Sequence, residues 1–123
     1  MIIYIAGPIT GVIDYKRKFE AAEKMLINMG HIAINPAYLP SGLKDYMPIC
    51  KAMIDQADAV YFLTGWQQSK GAKEEYEYAQ KKKKSMYFEE DFIKGNHDIP
   101  LKNTPDFIKK YLSYKNSTKP LII

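Results

Sequence analysis

One carboxylate, Glu75, falls on the apolar side of a predicted helix. Between residues 71 and 80, helical spacing places Glu75 on the same face as two alanines and Tyr76, the face that should pack against the fold. Carboxylates are seldom buried unless they are paired or functional, and a helix N-terminus favours their ionised form. Such a position suits a nucleophile at neutral pH. The spacing equally allows a structural glutamate that backbone donors or a tyrosine hydroxyl satisfy.

Three further residues could act together with this carboxylate. Tyr4 lies near the carboxyl end of an apolar run, where its hydroxyl could contact a ligand or Glu75. Ser69 precedes the helix, where it could cap the first turn or bind an anionic group beside the free amides. Trp66, the only tryptophan, could stack on a base or fill the core.

A glycine-bounded loop at residues 7–11 follows the first apolar run. It lacks the three-glycine dinucleotide pattern and the Gly-Lys-Ser/Thr ending of a phosphate loop, so we expect no nicotinamide or ATP site and no cofactor. The loop could wrap a ligand closely or form a plain tight turn. The residues that it offers to a ligand are Gly7, Pro8, Ile9, Thr10 and Gly11.

Other catalytic centres are not indicated. His31 and His97 are far apart and have no ligand spacing, so no metal site is predicted. The single cysteine, Cys50, excludes an intramolecular disulfide and a cysteine-based zinc cluster, and it fits a reducing compartment. We expect Cys50 to be inert, on or beside the apolar stripe of a helix.

The elements that must position these residues alternate along the chain. Apolar runs predict strands at residues 2–6, 31–35, 59–63 and 85–88, and helical spacing predicts helices at 15–29, from 45 to 57, from 71 to 84 and at about 105–114. Asp45 could cap the second helix. We expect this helix to bury one apolar stripe, formed by Tyr46, Ile49, Met53 and Ala57. We interpret residues 89–91 as an acidic turn.

This alternation predicts an α/β domain with a parallel sheet of four to five strands flanked by helices. Ligands of such sheets bind beyond the carboxyl ends of the strands. Three loops should meet there, at residues 7–11, 35–42 and 65–71, and they bring Asn35 and Gly71 to the expected small-molecule site.

Composition limits the class of protein. The 123 residues are 46% hydrophobic and 26% charged, which is typical of one globular domain. Neither a basic leader nor an apolar run of about 20 residues is present, so we expect a cytoplasmic protein with no membrane association. The net charge of +4 comes from residues 92–123, where six lysines outnumber two aspartates. We interpret this surplus as a solvated surface and do not expect nucleic acid as a partner.

The ordered combination of these motifs resembles a known family. The stretch 4–11, the strand 58–63, and Gly65-Trp66 followed by Ser69, Gly71 and Glu75 resemble the nucleoside 2-deoxyribosyltransferase superfamily over residues 1–88. Within it, the chain is most similar to a small uncharacterised bacterial and phage branch, related to the deoxynucleoside 5′-monophosphate N-glycosidases.

The resemblance implies a flavodoxin-like or Rossmann-like sheet. It also implies cleavage or transfer at the N-glycosidic bond of a 2-deoxyribonucleoside or its 5′-monophosphate. By position, Glu75 matches the family's nucleophile, Ser69 its phosphate-binding serine and Tyr4 its first-strand tyrosine. The substrate would be a nucleoside or nucleotide.

The sequence also departs from the family pattern. Cys50 stands where the family often has an aspartate that assists leaving-group departure, and Asp45 and Asp55 are the nearby carboxylates that could substitute for it. The first loop offers Pro8 and Thr10 where the monophosphate enzymes have a serine and an arginine. The alternative function is therefore a nucleotide-binding protein that uses the same pocket without cleavage.

Self-association is also expected. A four-strand core leaves sheet edges and apolar helix faces to cover, and members of the resembled superfamily are dimers or larger. We therefore expect a homo-oligomer, in which the C-terminal extension at residues 89–123 could reach across to a neighbouring copy.

Overall fold

The computed structural model describes residues 1–93, and every structural statement below concerns that part of the chain. Each predicted strand forms, and a helix or short turn follows each one. The strands are β1 (Ile2–Ala6), β2 (Ile32–Ile34), β3 (Ala59–Phe62) and β4 (Ser85–Phe88). The helices are α1 (Tyr15–Asn28), α2 (Met47–Gln56), α3 (Lys70–Lys81) and α4 (Glu89–Ile93), with 3-10 turns at Pro36–Tyr38 and Trp66–Gln68.

The four strands form one parallel sheet in the order β2-β1-β3-β4. Ile3 of the central strand β1 pairs with Ala33 on one side and with Ala59 on the other. The chain winds first towards β2 and then back past β1 to β3, so the winding direction reverses between β1 and β3. Ligands of open α/β sheets bind at such a reversal.

Alternate residues of β1 face opposite layers of the fold. Ile3 and Ile5 pack with Phe19 and the rest of the buried face of α1. Tyr4 and Ala6 pack in a second cluster with buried residues of α2 and α3. The sheet is therefore covered by α1 on one face and by α2 and α3 on the other, which confirms the predicted α/β class and makes the fold Rossmann-like.

The prediction for the buried face of α2 is confirmed for Ala57, which is buried, and for Met53, which packs against the core, but it was wrong for Tyr46 and Ile49. Tyr46 and Ile49 are each 36% exposed, whereas Cys50 and Ile54 are buried against the sheet. Apolar residues lie on more than one side of this helix, so helical spacing fits two orientations, and the small Cys50 side chain permits the closer one. The helix begins at Met47, whose amide donates to Asp45 Oδ1 at 3.1 Å.

The acidic segment after β4 is helical instead of a turn. Its residues 89–91 form the first turn of α4, where negative charge is favourable at a helix N-terminus. Glu89 Oε1 also accepts a hydrogen bond from the Thr64 amide at 2.8 Å, which ties α4 to the loop after β3.

Two further predictions lie outside the described residues. The helix expected at about 105–114 and the basic surplus of the C-terminal extension both fall beyond residue 93. Among residues 1–93, no helix combines the length and apolarity required to cross a membrane.

The close approach of the first loop to β3 gives a testable consequence. A Cβ added at Gly7 would lie 2.9 Å from both Cβ and Cδ1 of the buried Leu63, so Gly7→Ala should lower the free energy of unfolding by about 1 to 3 kcal/mol. The matched control is Gly71→Ala, whose added Cβ would meet only Met47 Cε, at an ordinary 3.7 Å. Urea denaturation measures both, and equal stability of the two variants would contradict the tight packing at Gly7.

Candidate active site

Three elements converge on the carboxylate of Glu75. The residue lies in the second turn of α3 and is only 6% exposed. Tyr4 is fully buried on β1, and its hydroxyl donates a hydrogen bond to Glu75 Oε2. Cys50 on α2 lines the same cavity as Glu75. The predicted contact between Tyr4 and Glu75 is therefore present.

Local structure between β3 and α3 explains why Glu75 reaches this position. Gly65 adopts φ +90°, a left-handed conformation that favours glycine, and it turns the chain away from the sheet into a 3-10 turn. Ser69 then caps α3, with its Oγ accepting from the Ala72 amide at 3.1 Å. Ala72 and Ala79 are buried beside Glu75, and such small side chains allow α3 to lie close to the sheet.

Glu75 borders a cavity of about 330 Å³. The cavity lies at the reversal point between β1 and β3, between the loop after β1, the loop after β2 and the start of α3. Ligand sites for small molecules commonly have volumes of roughly 300 to 1,000 Å³. This volume therefore suits a small molecule at the lower end of that range.

The cavity brings together seven of the residues predicted from the sequence and leaves out four. Those that line it are Tyr4, Gly7, Ile9, Thr10, Ser69, Gly71 and Glu75. Those that are not part of its wall are Pro8, Gly11, Asn35 and Trp66.

Trp66 and Asn35 have structural contacts instead. Trp66 stacks on Tyr76 with ring centroids 4.8 Å apart and also packs on Phe62 at 5.0 Å, and these contacts fit the role of filling the core. Asn35 caps the 3-10 turn after β2, with Oδ1 accepting from the Ala37 amide at 2.9 Å. It therefore shapes the second loop without facing the cavity.

The two aspartates that could replace the missing family aspartate also lie away from the cavity wall. Asp55 accepts from the Tyr78 hydroxyl at 2.7 Å on the exposed side of α2, and Asp45 binds the amide at the start of that helix. Among the described lining residues, Glu75 is the only carboxylate, and none is lysine, arginine or histidine. No group of three potential metal ligands occurs within residues 1–93.

Several lining residues were not singled out from the sequence. They lie at the starts of α1 and α2 and in the loop after β2, and include Tyr15, Phe19, Leu39, Ser41, Tyr46 and Met47. These residues could have been proposed from the sequence, because they lie in or just after the loops at the carboxyl ends of the strands, where ligands of such sheets bind.

Burial controls the protonation of the three groups at the centre of the site. Loss of solvation raises the pKa of Glu75 from 4.5 to about 7, although the hydrogen bond from Tyr4 opposes the rise. Burial also raises the pKa of Cys50 to about 11 and that of Tyr4 well above its usual 10. At neutral pH Tyr4 and Cys50 are therefore both neutral. Burial therefore raises the pKa of Glu75 by more than the helix N-terminus was expected to lower it.

Comparison with known proteins identifies a family without an assigned role. The family described as "Domain of unknown function (DUF4406)" matches residues 1–88, a range that includes every residue lining the cavity. No curated protein matches the chain.

The raised pKa of Glu75 predicts a specific effect of pH on stability. The folded chain binds this proton more tightly than the unfolded chain, so the unfolding free energy should fall as pH rises from about 4.5 to about 7. Glu75→Gln removes the ionisation and retains an acceptor for Tyr4. We expect it to match the wild type near pH 4 and to exceed it by about 2 to 3 kcal/mol at pH 8.

The control for this experiment is Glu74→Gln, on the same helix. Glu74 is partly exposed and pairs with Lys51 at 2.9 Å, and its charge is the smallest of the causes acting on the pKa of Glu75, so its substitution should lower that pKa only slightly and leave most of the pH dependence above pH 5 in place. Urea denaturation at several pH values measures all three proteins. An unchanged pH dependence in Glu75→Gln would contradict the raised pKa.

Proposed function

The chain belongs to the DUF4406 family of domains of unknown function, and we propose that it cleaves the N-glycosidic bond of a 2-deoxyribonucleoside or its 5′-monophosphate. Glu75 would act as the nucleophile. The observation that carries this proposal is the buried Glu75 carboxylate, bound by Tyr4, at the wall of a cavity of about 330 Å³. The resemblance to the nucleoside 2-deoxyribosyltransferases supports the same reaction.

The proposed reaction has two displacement steps. An oxygen of ionised Glu75 bonds to the anomeric carbon while the carbon–nitrogen bond breaks, and the base leaves with the electron pair and takes up a proton. Water, or a second nucleobase, then displaces the carboxylate from the sugar and loses a proton. Two displacements at one carbon give net retention, as in retaining glycosidases.

The neighbours of Glu75 suit the first step. Tyr4 is a neutral donor and hydrogen-bonds Oε2, so it fixes the orientation of the carboxylate without neutralising it. A pKa of about 7 leaves about half of the carboxylates ionised at neutral pH. Because Glu75 is the only carboxylate among the described lining residues, the proton for the leaving base is assigned to solvent.

The same observation favours a second candidate function, nucleotide binding without cleavage. A retaining glycosidase normally uses a second carboxyl group for the proton of the leaving group, and the position where the resembled family often has one is occupied by Cys50. In this alternative the cavity holds an intact ligand. Thermal stabilisation by a ligand that is recovered unchanged would favour this function over cleavage.

Base release distinguishes the two functions. The protein is incubated with a panel of 2-deoxyribonucleosides and their 5′-monophosphates, and the free base is quantified by chromatography with and without a second base as acceptor. We expect Glu75→Gln and Glu75→Ala to reduce the rate at least about 1,000-fold, because the nucleophile is lost.

Glu74→Gln serves again as the matched control and should retain the rate within about twofold, since its side chain pairs with Lys51 outside the cavity. Circular dichroism checks that each variant is folded. Equal background release by the wild type and Glu75→Ala across the panel would eliminate the enzymatic proposal.

We also propose that the protein is a homo-oligomer. The large apolar side chains most exposed in the described part of the chain all lie in two segments that border the cavity mouth: Ile9, Ile13, Tyr38, Leu43, Tyr46 and Ile49. Where exposed apolar side chains form a contiguous patch, they often mark a contact surface.

Sedimentation at micromolar concentration should therefore give a multiple of the 14.2 kDa chain mass. Ile13→Asp should shift the mass towards the monomer, because it places a charge in the proposed contact. A monomeric mass for the wild type at this concentration would contradict the proposal.

A further inference from the structure

Tyr46 binds the loop after β2 and has no part in the reaction steps proposed above. It lies directly before α2 and lines the cavity. Its hydroxyl donates a hydrogen bond to the Pro40 carbonyl oxygen at 2.5 Å and accepts one from the Leu43 amide at 3.3 Å. One side chain therefore binds both ends of the four-residue segment 40–43.

The segment 40–43 is a tight turn whose centre also lines the cavity. Ser41 and Gly42 form the turn, and Gly42 adopts φ +87°. This angle is typical of the third residue of a type II turn, where glycine is favoured because it has no Cβ. Both residues are exposed and both belong to the cavity wall, so the turn forms a part of the wall that borders solvent.

We infer that Tyr46 is a positioning residue, whose hydroxyl holds the turn 40–43 at the cavity and thereby keeps the cavity in its ligand-binding shape. The consequence for ligands rests on the proposed function, whereas the effect on the turn does not. Without the two hydrogen bonds, the turn would leave the cavity wall in a larger fraction of the molecules. The apparent affinity for a ligand falls in proportion to the fraction of molecules that are competent to bind it.

The segments on either side of this turn are held by other contacts. The preceding 3-10 turn is tied to α1, because the Tyr38 hydroxyl donates to Glu23 Oε1 at 2.6 Å. The following residues are fixed where Asp45 accepts from the first amide of α2. Within residues 1–93, the only side chain that hydrogen-bonds to the segment 40–43 is that of Tyr46. The position of the turn therefore depends on this one hydroxyl.

A role of the aromatic ring alone is the competing interpretation. A large side chain at the cavity wall limits the space beside it whether or not its hydroxyl is bonded. Tyr46→Phe separates the two roles, since it keeps the ring and removes the hydroxyl. It also keeps the apolar surface that the proposed contact between copies would use, so association of the chain is not altered by the substitution.

Hydrogen exchange of the Leu43 amide tests the inference without a ligand. Exchange with solvent is followed by NMR at one pH and temperature in the wild type, Tyr46→Phe and Tyr78→Phe. We expect this amide to exchange at least about fivefold faster in Tyr46→Phe, because its acceptor is lost.

Tyr78→Phe is the matched control for the exchange experiment. It removes a tyrosine hydroxyl that donates to Asp55 at 2.7 Å, away from the cavity, and should leave the exchange rate of the Leu43 amide within about twofold. An exchange rate in Tyr46→Phe equal to that of the wild type would overturn the inference, and so would the same acceleration in both variants.

The kinetics of base release test the consequence for the cavity. The probes are the 2-deoxyribonucleosides and 5′-monophosphates of the panel above, and KM and kcat are measured for the same three proteins. Tyr46→Phe should raise KM about three- to tenfold and leave kcat within about twofold, because Glu75 and Tyr4 are untouched. Where a probe binds without release of base, Kd from calorimetry replaces KM. An unchanged KM or Kd in Tyr46→Phe would overturn the inference even if exchange is faster.

The two measurements separate this inference from the proposed function. If no protein releases base or binds a probe, but the Leu43 amide exchanges faster in Tyr46→Phe alone, the proposed function fails and the role of Tyr46 in holding the turn stands. If base is released and neither KM nor the exchange rate changes in Tyr46→Phe, the proposed function stands and the inference fails.

Discussion

The burial of the Glu75 carboxylate constrains the rest of the structure, because a donor from another element must bind it. Glu75 and Tyr4 are 71 residues apart in the sequence and join α3 to the central strand β1. Neither polar group could be buried alone without a desolvation penalty. Their hydrogen bond, together with Ala72 and Ala79 on the same helix face, fixes where α3 lies over the sheet.

The placement of the cavity follows from this constraint and from the topology. Because the winding of the chain reverses between β1 and β3, the loops after these two strands lead to opposite faces of the sheet and leave a space above the ends of the strands. The second turn of α3 delivers Glu75 to the side of that space. A polar group that is costly for folding is therefore retained at the point where a ligand can reach it, a pattern typical of functional sites.

Much of this arrangement could be predicted from the sequence, and the failures have a physical cause. The strands could be predicted because they are short apolar runs, and the buried face of α3 could be predicted because its apolar residues follow a single helical stripe. The buried face of α2 could not be predicted in full, since Ile49 and Cys50 give the helix two apolar sides and only tertiary packing selects the side with Cys50. Trp66 was ambiguous for the same reason, because its contacts with Tyr76 and Phe62 are made across elements.

The nature of residue 50 has a consequence for the chemistry of the whole site. A carboxylate at this position would line the same cavity as Glu75, and its negative charge would raise the pKa of Glu75 further. The Cys50 thiol, whose pKa burial raises to about 11, brings no competing charge. The site thereby gains an ionisable Glu75 but gives up a second acid at this position. Under the proposed function, such a site favours bases that can take their proton from water.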